Sequence, residues 1–269
     1  MPLLLWIILC SALGGIASAA FAVAFLWISE ERSARILPYF LSFATGALLG
    51  AALLALLPEA IEGAGVAGAH ALGVALVLGL GVFFVIEKLV LWWHTHPHEP
   101  QAAQGYVGHE HAHDHAADRD RASGVLVLVG DSLHNTLDGV LIAAAFLTDV
   151  SLGFVTTLAV AAHEIPHRVG DFAILVQAGW TRRRALGLNL ATGLASVFGA
   201  VVAYFALQRA LGLLPYALAF AAAGFLYIAV AGLIPGLHRR SDPRASATQV
   251  VLIAAGILVI VLAERLTHS

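Results

Sequence analysis

Charge is scarce in this chain. Only 12% of its 269 residues are Asp, Glu, Lys or Arg, while 60% are apolar and the mean hydropathy is +0.88. A soluble domain carries about twice that charged fraction, so the composition excludes one and predicts an all-α integral membrane protein. No basic block accompanies the net charge of −3, which leaves no sign of a nucleic-acid partner. There is one cysteine, Cys10. That excludes an intrachain disulfide framework and a cysteine-based metal site, and leaves Cys10 a packing role.

What fills the chain instead is long apolar runs. Punctuated by turn and charged residues, they predict eight transmembrane helices over approximately 3–28, 37–61, 70–93, 124–148, 152–177, 185–208, 214–237 and 247–265. The first run ends in a cleavage-like Ala17-Ser18-Ala19 but lacks a basic leader, so it is read as a retained span. Arginine placement sets the orientation. Arg32, Arg35, Arg119, Arg121, Arg182, Arg183, Arg184, Arg239, Arg240 and Arg244 follow odd-numbered spans; only Arg209 and the near-terminal Arg265 fall on the other side. Both termini are therefore expected outside the cytoplasm.

The chain also resembles itself. At a shift of 177 residues, Leu37-Pro38-Tyr39 falls on Leu214-Pro215-Tyr216, Pro58 on Pro235, and Glu87-Lys88-Leu89 on Glu264-Arg265-Leu266. Spans one and six match at a shift of 178 through Gly15/Gly193 and Ser18/Ser196. The matched spans run in opposite directions, so the repeat is inverted, a pattern of transporters that bind substrate near the midplane. The expected architecture is a single 1–269 domain, a 3+2+3 bundle with repeats at about 3–93 and 185–266 around a central hairpin, 124–177.

That hairpin carries groups that hydrocarbon normally excludes. His134 and Asp138 are one helical turn apart with Asn135 beside them, and His163 and His167 repeat the spacing with Glu164 alongside. The two groups lie about equally far from the turn near residue 150, within about 3 Å in depth, so they can share one ion. Imidazoles and carboxylates suit a borderline divalent cation such as Zn²⁺. Pro166 is expected to kink the fifth span and free a carbonyl near position 162. A polar network that merely joins helices needs fewer such groups. Glu59 and Glu62, at the outer end of span two, are placed to attract cations.

Two other readings use the same residues. His163-Glu164-x-x-His167 satisfies the zinc-protease pattern, which makes an intramembrane metalloprotease the alternative. His134 and Asp138 would crowd the open position such an enzyme needs. His134-x-x-x-Asp138 also resembles the motif of cation diffusion facilitators, but the soluble domain of those proteins has no counterpart after span eight. Between spans three and four lies a polar segment, 94–123, with His94, His96, His98, His109, His111, His113 and His115. It reads as a flexible cytoplasmic metal buffer.

Together, His134-Asn135-Thr136-Leu137-Asp138-Gly139, His163-Glu164-Ile165-Pro166-His167 and Gly170-Asp171-Phe172-Ala173 resemble the ZIP (Zrt-, Irt-like) metal-ion transporters. The resemblance covers essentially the whole chain and is taken as that of a bacterial-type member of the cell inner membrane. It implies uptake of Zn²⁺, with Fe²⁺, Mn²⁺ or Cd²⁺ as further substrates, by alternating access with an elevator-like shift of spans one, four, five and six. It implies a homodimer in the lipid bilayer, no enzymatic activity, and a metal site of His134, Asn135, Asp138, His163, Glu164 and His167. The chain departs from the pattern at Arg168, where a second acid is common, and at Ala55, Gly232 and Gly236, which carry no ligand. These departures count against a two-metal site. Arg168 must pair, and Glu164 and Asp171 are its nearest acids in sequence; with Glu164 neutralised, His134, Asp138, His163 and His167 would hold one ion.

Overall fold

A run of apolar residues in a membrane must satisfy its backbone internally, and helices do so. The computed structural model describes residues 2–26, 30–95, 112–238 and 242–268. These form α1 (Leu3–Leu26), α2 (Glu30–Gly50), α3 (Leu57–Thr95), α4 (Ala112–Thr148), α5 (Val150–Gln177), α6 (Arg182–Gln208), α7 (Leu214–Tyr227), a single turn α8 (Ile234–Leu237) and α9 (Pro243–His268). Two wider π-helical segments, Ala51–Leu56 and Ile228–Leu233, join α2 to α3 and α7 to α8. The protein is an all-α membrane protein.

Among the described residues, five stretches are long and apolar enough to cross a membrane: Leu3–Phe21, Arg35–Lys88, Arg182–Gln208, Leu211–Leu237 and Pro243–Leu266. The second covers two expected spans at once, and these meet at a kink inside the expected turn around 62–69. Its backbone departs from helix at Gly65 (φ 61°, ψ −179°), a conformation that glycine adopts without Cβ strain. Neither α4 nor α5, which hold the polar groups, is among the five.

Where a loop was expected over 94–123, α3 carries His94 to its end and α4 already begins at Ala112. Residues 96–111, with most of the other histidines, lie outside the described residues. At 37 residues, α4 is about 55 Å long at helical rise, more than the hydrocarbon thickness of about 30 Å. Its charged first turns therefore extend past the apolar layer.

α4 and α5 meet at Asp149. Its carboxylate caps α5, accepting from the backbone N–H of Ser151 (2.8 Å) and Leu152 (3.2 Å). α5 runs unbroken through Pro166, so the helix accommodates the missing backbone donor without ending. α4 packs along α6 and α5, α1 along α5 and α6, α2 along α9, and α3 along α7. Glycines permit these approaches. A Cβ on Gly139 would stand 1.8 Å from the Ser196 carbonyl oxygen, and one on Gly199 2.0 Å from that of Thr136. Gly46 meets Ile253, and Gly256 meets Phe43, in the same way between α2 and α9. The apolar core runs from the first π segment through Leu141–Phe146 of α4 to Val155, Ala159 and Val160 of α5 and Phe225 of α7. It lies directly beside the polar cluster and closes one side of it.

Candidate metal site

The i, i+4 spacing on α4 and α5 turns two polar faces toward each other. His134 Nε2 lies 3.3 Å from His163 Nε2, and Asp138 Oδ2 is 3.4 Å from His163 Nε2 and 3.8 Å from His134 Nε2. Glu164 Oε1 completes the group at 3.7 Å from His134 Nε2. One candidate ligand atom from each of His134, Asp138, His163 and Glu164 lies within 4.8 Å of every other. Two ligands each about 2.05 Å from one tetrahedral Zn²⁺ stand about 3.3 Å apart. Four of the six edges are 3.3 to 3.8 Å and the other two lie within 4.8 Å, so the atoms outline a two-nitrogen, two-oxygen cage of a size that could close on one ion.

Two details favour a cation there. His163 Nδ1 donates to the Ala159 carbonyl (3.1 Å), which leaves the lone pair of neutral His163 on Nε2, facing the cage. Both oxygens of Asp138, and Glu164 Oε1, are buried without a hydrogen-bond partner among the described residues. Buried carboxylate oxygens left so are costly unless a positive charge meets them.

His167 is not among these four atoms, although its ring lies as near that of His134 as the ring of His163 does. Its ring centroid is 5.3 Å from that of His134 and 6.3 Å from that of His163. Asn135 is turned away, donating to the Asp131 carboxylate (2.8 Å) and accepting from Arg168 (2.6 Å). Of the expected four, His134, Asp138 and His163 converge here, and the fourth converging atom is from Glu164. Its other oxygen, Oε2, takes Arg168 Nε at 2.9 Å, so the carboxylate serves both groups at once.

Arg168 is fully buried and is one of the largest side chains to be so. Its second carboxylate is Asp131 on α4 (Nη1 to Oδ2, 2.8 Å), not the expected Asp171. Nη1 also reaches the Asn189 carbonyl (2.8 Å), Asn189 Oδ1 (3.1 Å) and Thr192 Oγ1 (2.6 Å) on α6. Reasoning from sequence missed Asp131, Asn189 and Thr192. Asp131 was findable, since it lies one turn before Asn135 on the face that bears Asp138. Asn189, Thr192 and Ser196 likewise form a polar stripe at three- and four-residue spacing in an apolar helix.

A cavity of about 440 Å³ reaches the cluster from one side. Its wall runs from His134 and His167 past Asp131 and Asp171 to Val127, Ile174 and Glu87, toward the ends where α3 stops and α4 starts. Glu87 accepts a short hydrogen bond from Tyr227 there. The His134 side chain is 15% exposed while those of Asp138, His163 and Glu164 are at most 1%, so His134 is the member that meets the cavity.

The ZIP Zinc transporter family model matches residues 3–124 and 106–264. Zinc transporter ZIP13 of Mus musculus is 36% identical over 260 residues, covering 87% of this chain and 72% of that protein. Zinc transporter ZIP13 of Homo sapiens is 34% identical over 269 residues, with coverage of 87% and 72%. Zinc transporter SLC39A7 of Mus musculus is 31% identical over 334 residues, covering 97% of this chain and 70% of its own length. These relatives are animal proteins, so the expectation of a bacterial-type member is not supported. The metalloprotease alternative also finds no support, because the matched family is one of transporters and not of enzymes. On the family match over nearly its whole length, the chain belongs to the ZIP zinc transporter family and is a multi-pass membrane protein.

Proposed function

We propose that this chain takes up divalent metal ions, Zn²⁺ foremost, into the cytoplasm through a midplane site of His134, Asp138, His163 and Glu164. The observation that carries the reading is the four-atom cage, its ligand atoms all within 4.8 Å of one another and its buried carboxylate oxygens lacking a hydrogen-bond partner among the described residues. Its mixed nitrogen and oxygen donors also suit Fe²⁺, Mn²⁺ and Cd²⁺. His167 and Asn135 flank the site. His167 receives the ion at the cavity wall, and Asn135 holds Arg168 in place.

The transport unit is a single domain of eight membrane-spanning segments, built as a 3+2+3 inverted repeat and paired as a homodimer. Support for the repeat comes from the two π segments, Ala51–Leu56 and Ile228–Leu233, which stand at the same shift of 177 residues as the sequence match. Gly15 and Gly193, equivalent at a shift of 178, touch each other: a Cβ on Gly15 would lie 2.7 Å from the Gly193 carbonyl oxygen.

Alternating access fits the packing. Backbone-to-backbone glycine contacts join α1, α4 and α6, and separately α2 to α9 and α3 to α7. The hairpin that carries the metal ligands can therefore move as one piece with α1 and α6 against the other helices. With the loops after odd-numbered spans cytoplasmic and both termini outside, the cavity opens the cluster to the cytoplasm. The core around Leu141–Phe146 closes it from outside. An ion released into the cavity passes Asp171 and Glu87 toward the histidine-rich segment, which buffers it. The inward-negative membrane potential favours this direction for a dication.

Purified protein in liposomes tests the reading. Zn²⁺ flux is expected in the parent and lost in Asp138→Ala and His163→Ala. Flux unchanged in both variants would remove the cluster from the pathway.

A further inference from the structure

We infer that Arg168 holds the transport site to one divalent ion, because its guanidinium fills an oxygen-lined cation pocket that adjoins the metal cage and shares Glu164 with it. This rests on the cage being the transport site. The lining is made of oxygens from three helices: Glu164 Oε2, Asp131 Oδ2, Asn135 Oδ1, the Asn189 carbonyl and Oδ1, and Thr192 Oγ1, all 2.6 to 3.1 Å from guanidinium nitrogens. The Thr192 hydroxyl donates to the Asn189 carbonyl at 2.9 Å, so its lone pairs point at Arg168. Gly193 completes the wall with no side chain, and a Cβ there would stand 3.4 Å from Nη2. Several oxygens and no nitrogen are the shell that a hard divalent cation such as Mn²⁺ or Ca²⁺ takes.

Charge decides the occupancy. Asp131, Asp138 and Glu164 are buried carboxylates, which carry three negative charges when ionised. Arginine keeps its proton in proteins, so Arg168 cancels one and leaves two, the charge of a single divalent ion. Half-buried Asp171 lies on the cavity wall and is neither one of the four converging ligands nor a hydrogen-bond acceptor of Arg168 among the described residues. A second dication in the pocket would have to displace a fixed cation that is tethered, fully buried and hydrogen-bonded on every side. Loss of the Arg168 charge removes that bar and leaves a pocket of oxygen donors with Glu164 as the shared ligand.

The test is crystallographic, with full-length protein soaked in Zn²⁺ and Mn²⁺ and anomalous scattering recorded at both edges. Position identifies each ion, so metal on the histidine-rich segment does not interfere. The parent is expected to show one peak, among His134, Asp138, His163 and Glu164. R168A should gain a second, among Asp131, Asn135, Glu164 and Thr192, whereas R168K, which keeps the charge, should show one. If R168A does not fold, R168Q, which keeps hydrogen-bond donors but not the charge, is read the same way. A second peak in the pocket of the parent or of R168K overturns the inference, as does a single peak in the charge-free variant. No peak at the cage of the parent overturns the transport site itself, and this inference with it.

Discussion

Glu164 has two oxygens with different duties, and at the scale of single residues this division organises the site. Oε1 faces the cage and Oε2 is held by Arg168, so replacing Glu164 disturbs both groups. Glu164→Gln is expected to weaken Zn²⁺ binding by about 10–100-fold, as measured by competition titration of the purified protein. An unchanged affinity would place the fourth ligand elsewhere, with His167 the nearest candidate. Asp131 does different work, because it touches Arg168 and no cage atom. Its removal in Asp131→Ala leaves a fully buried guanidinium one carboxylate short, at a cost of about 3 kcal/mol. A lowered melting temperature in detergent would register that cost, and an unaltered one would make the ion pair dispensable. Acidity acts on the imidazoles. His134 and His163 bind metal only through an unprotonated nitrogen, and free imidazole has a pKa of about 6.5. Protons therefore compete more strongly as pH falls. Binding should weaken steadily from pH 7 to pH 5, and a flat profile would argue that imidazoles do not hold the ion.

At the scale of elements, α6 is as much a part of the site as the helices that bear the ligands. It contributes Asn189 and Thr192 to Arg168, and it lies against α4 at Gly139 and Gly199, where no side chain intervenes. Gly199→Ala would bring a methyl group to 2.0 Å from the Thr136 carbonyl oxygen, so the helices must separate. Overpacking of this kind costs about 1–3 kcal/mol. The expected result is a lowered melting temperature together with weaker metal binding, because His134 and Asp138 ride on the displaced face. A loss of stability with full metal affinity would show that α4 and α6 are not coupled in this way. Much of the element scale was legible beforehand: runs of apolar residues mark helices, and the spacing of His134 to Asp138 and of His163 to His167 puts each pair on one face. The break between spans two and three was legible too, since the Gly and charged residues there suit a turn and the backbone leaves the helix at Gly65. The helical start at Ala112 was not, because a polar composition there hides helix from a hydropathy reading.

At the scale of the whole molecule, the question is whether the histidine-rich segment belongs to the pathway or only adjoins it. The cavity already links the cage to the end of the bundle where that segment begins. Deleting 99–118, which includes the first turns of α4, is expected to leave the direction of Zn²⁺ flux and binding at the cage intact. Several weaker sites should disappear from the binding isotherm. Abolished flux in a variant that still folds would make the segment part of the route. The apolar closure around Leu141–Phe146 and Phe225 is buried, and the cavity lies on the other side of the cluster, the arrangement expected of one access state of the proposed carrier.

What the chain determined by itself was its helical membrane class, the hairpin and the pairs of ligands on each helix, because hydropathy and a period of 3.6 residues are local properties. The same local rule located Glu164 as a partner of Arg168, one turn away. It failed for the partners that come from other helices. Asp171 is three residues from Arg168, yet the ion pair forms with Asp131, because α4 and α6 are brought so close by Gly139 and Gly199 that their polar stripes reach the guanidinium. Only the tertiary structure decided that Glu164 rather than His167 joins the cage, since which atoms converge depends on the rotation of α5 against α4. Sequence spacing sets the face a residue occupies; interhelical packing sets what that face meets.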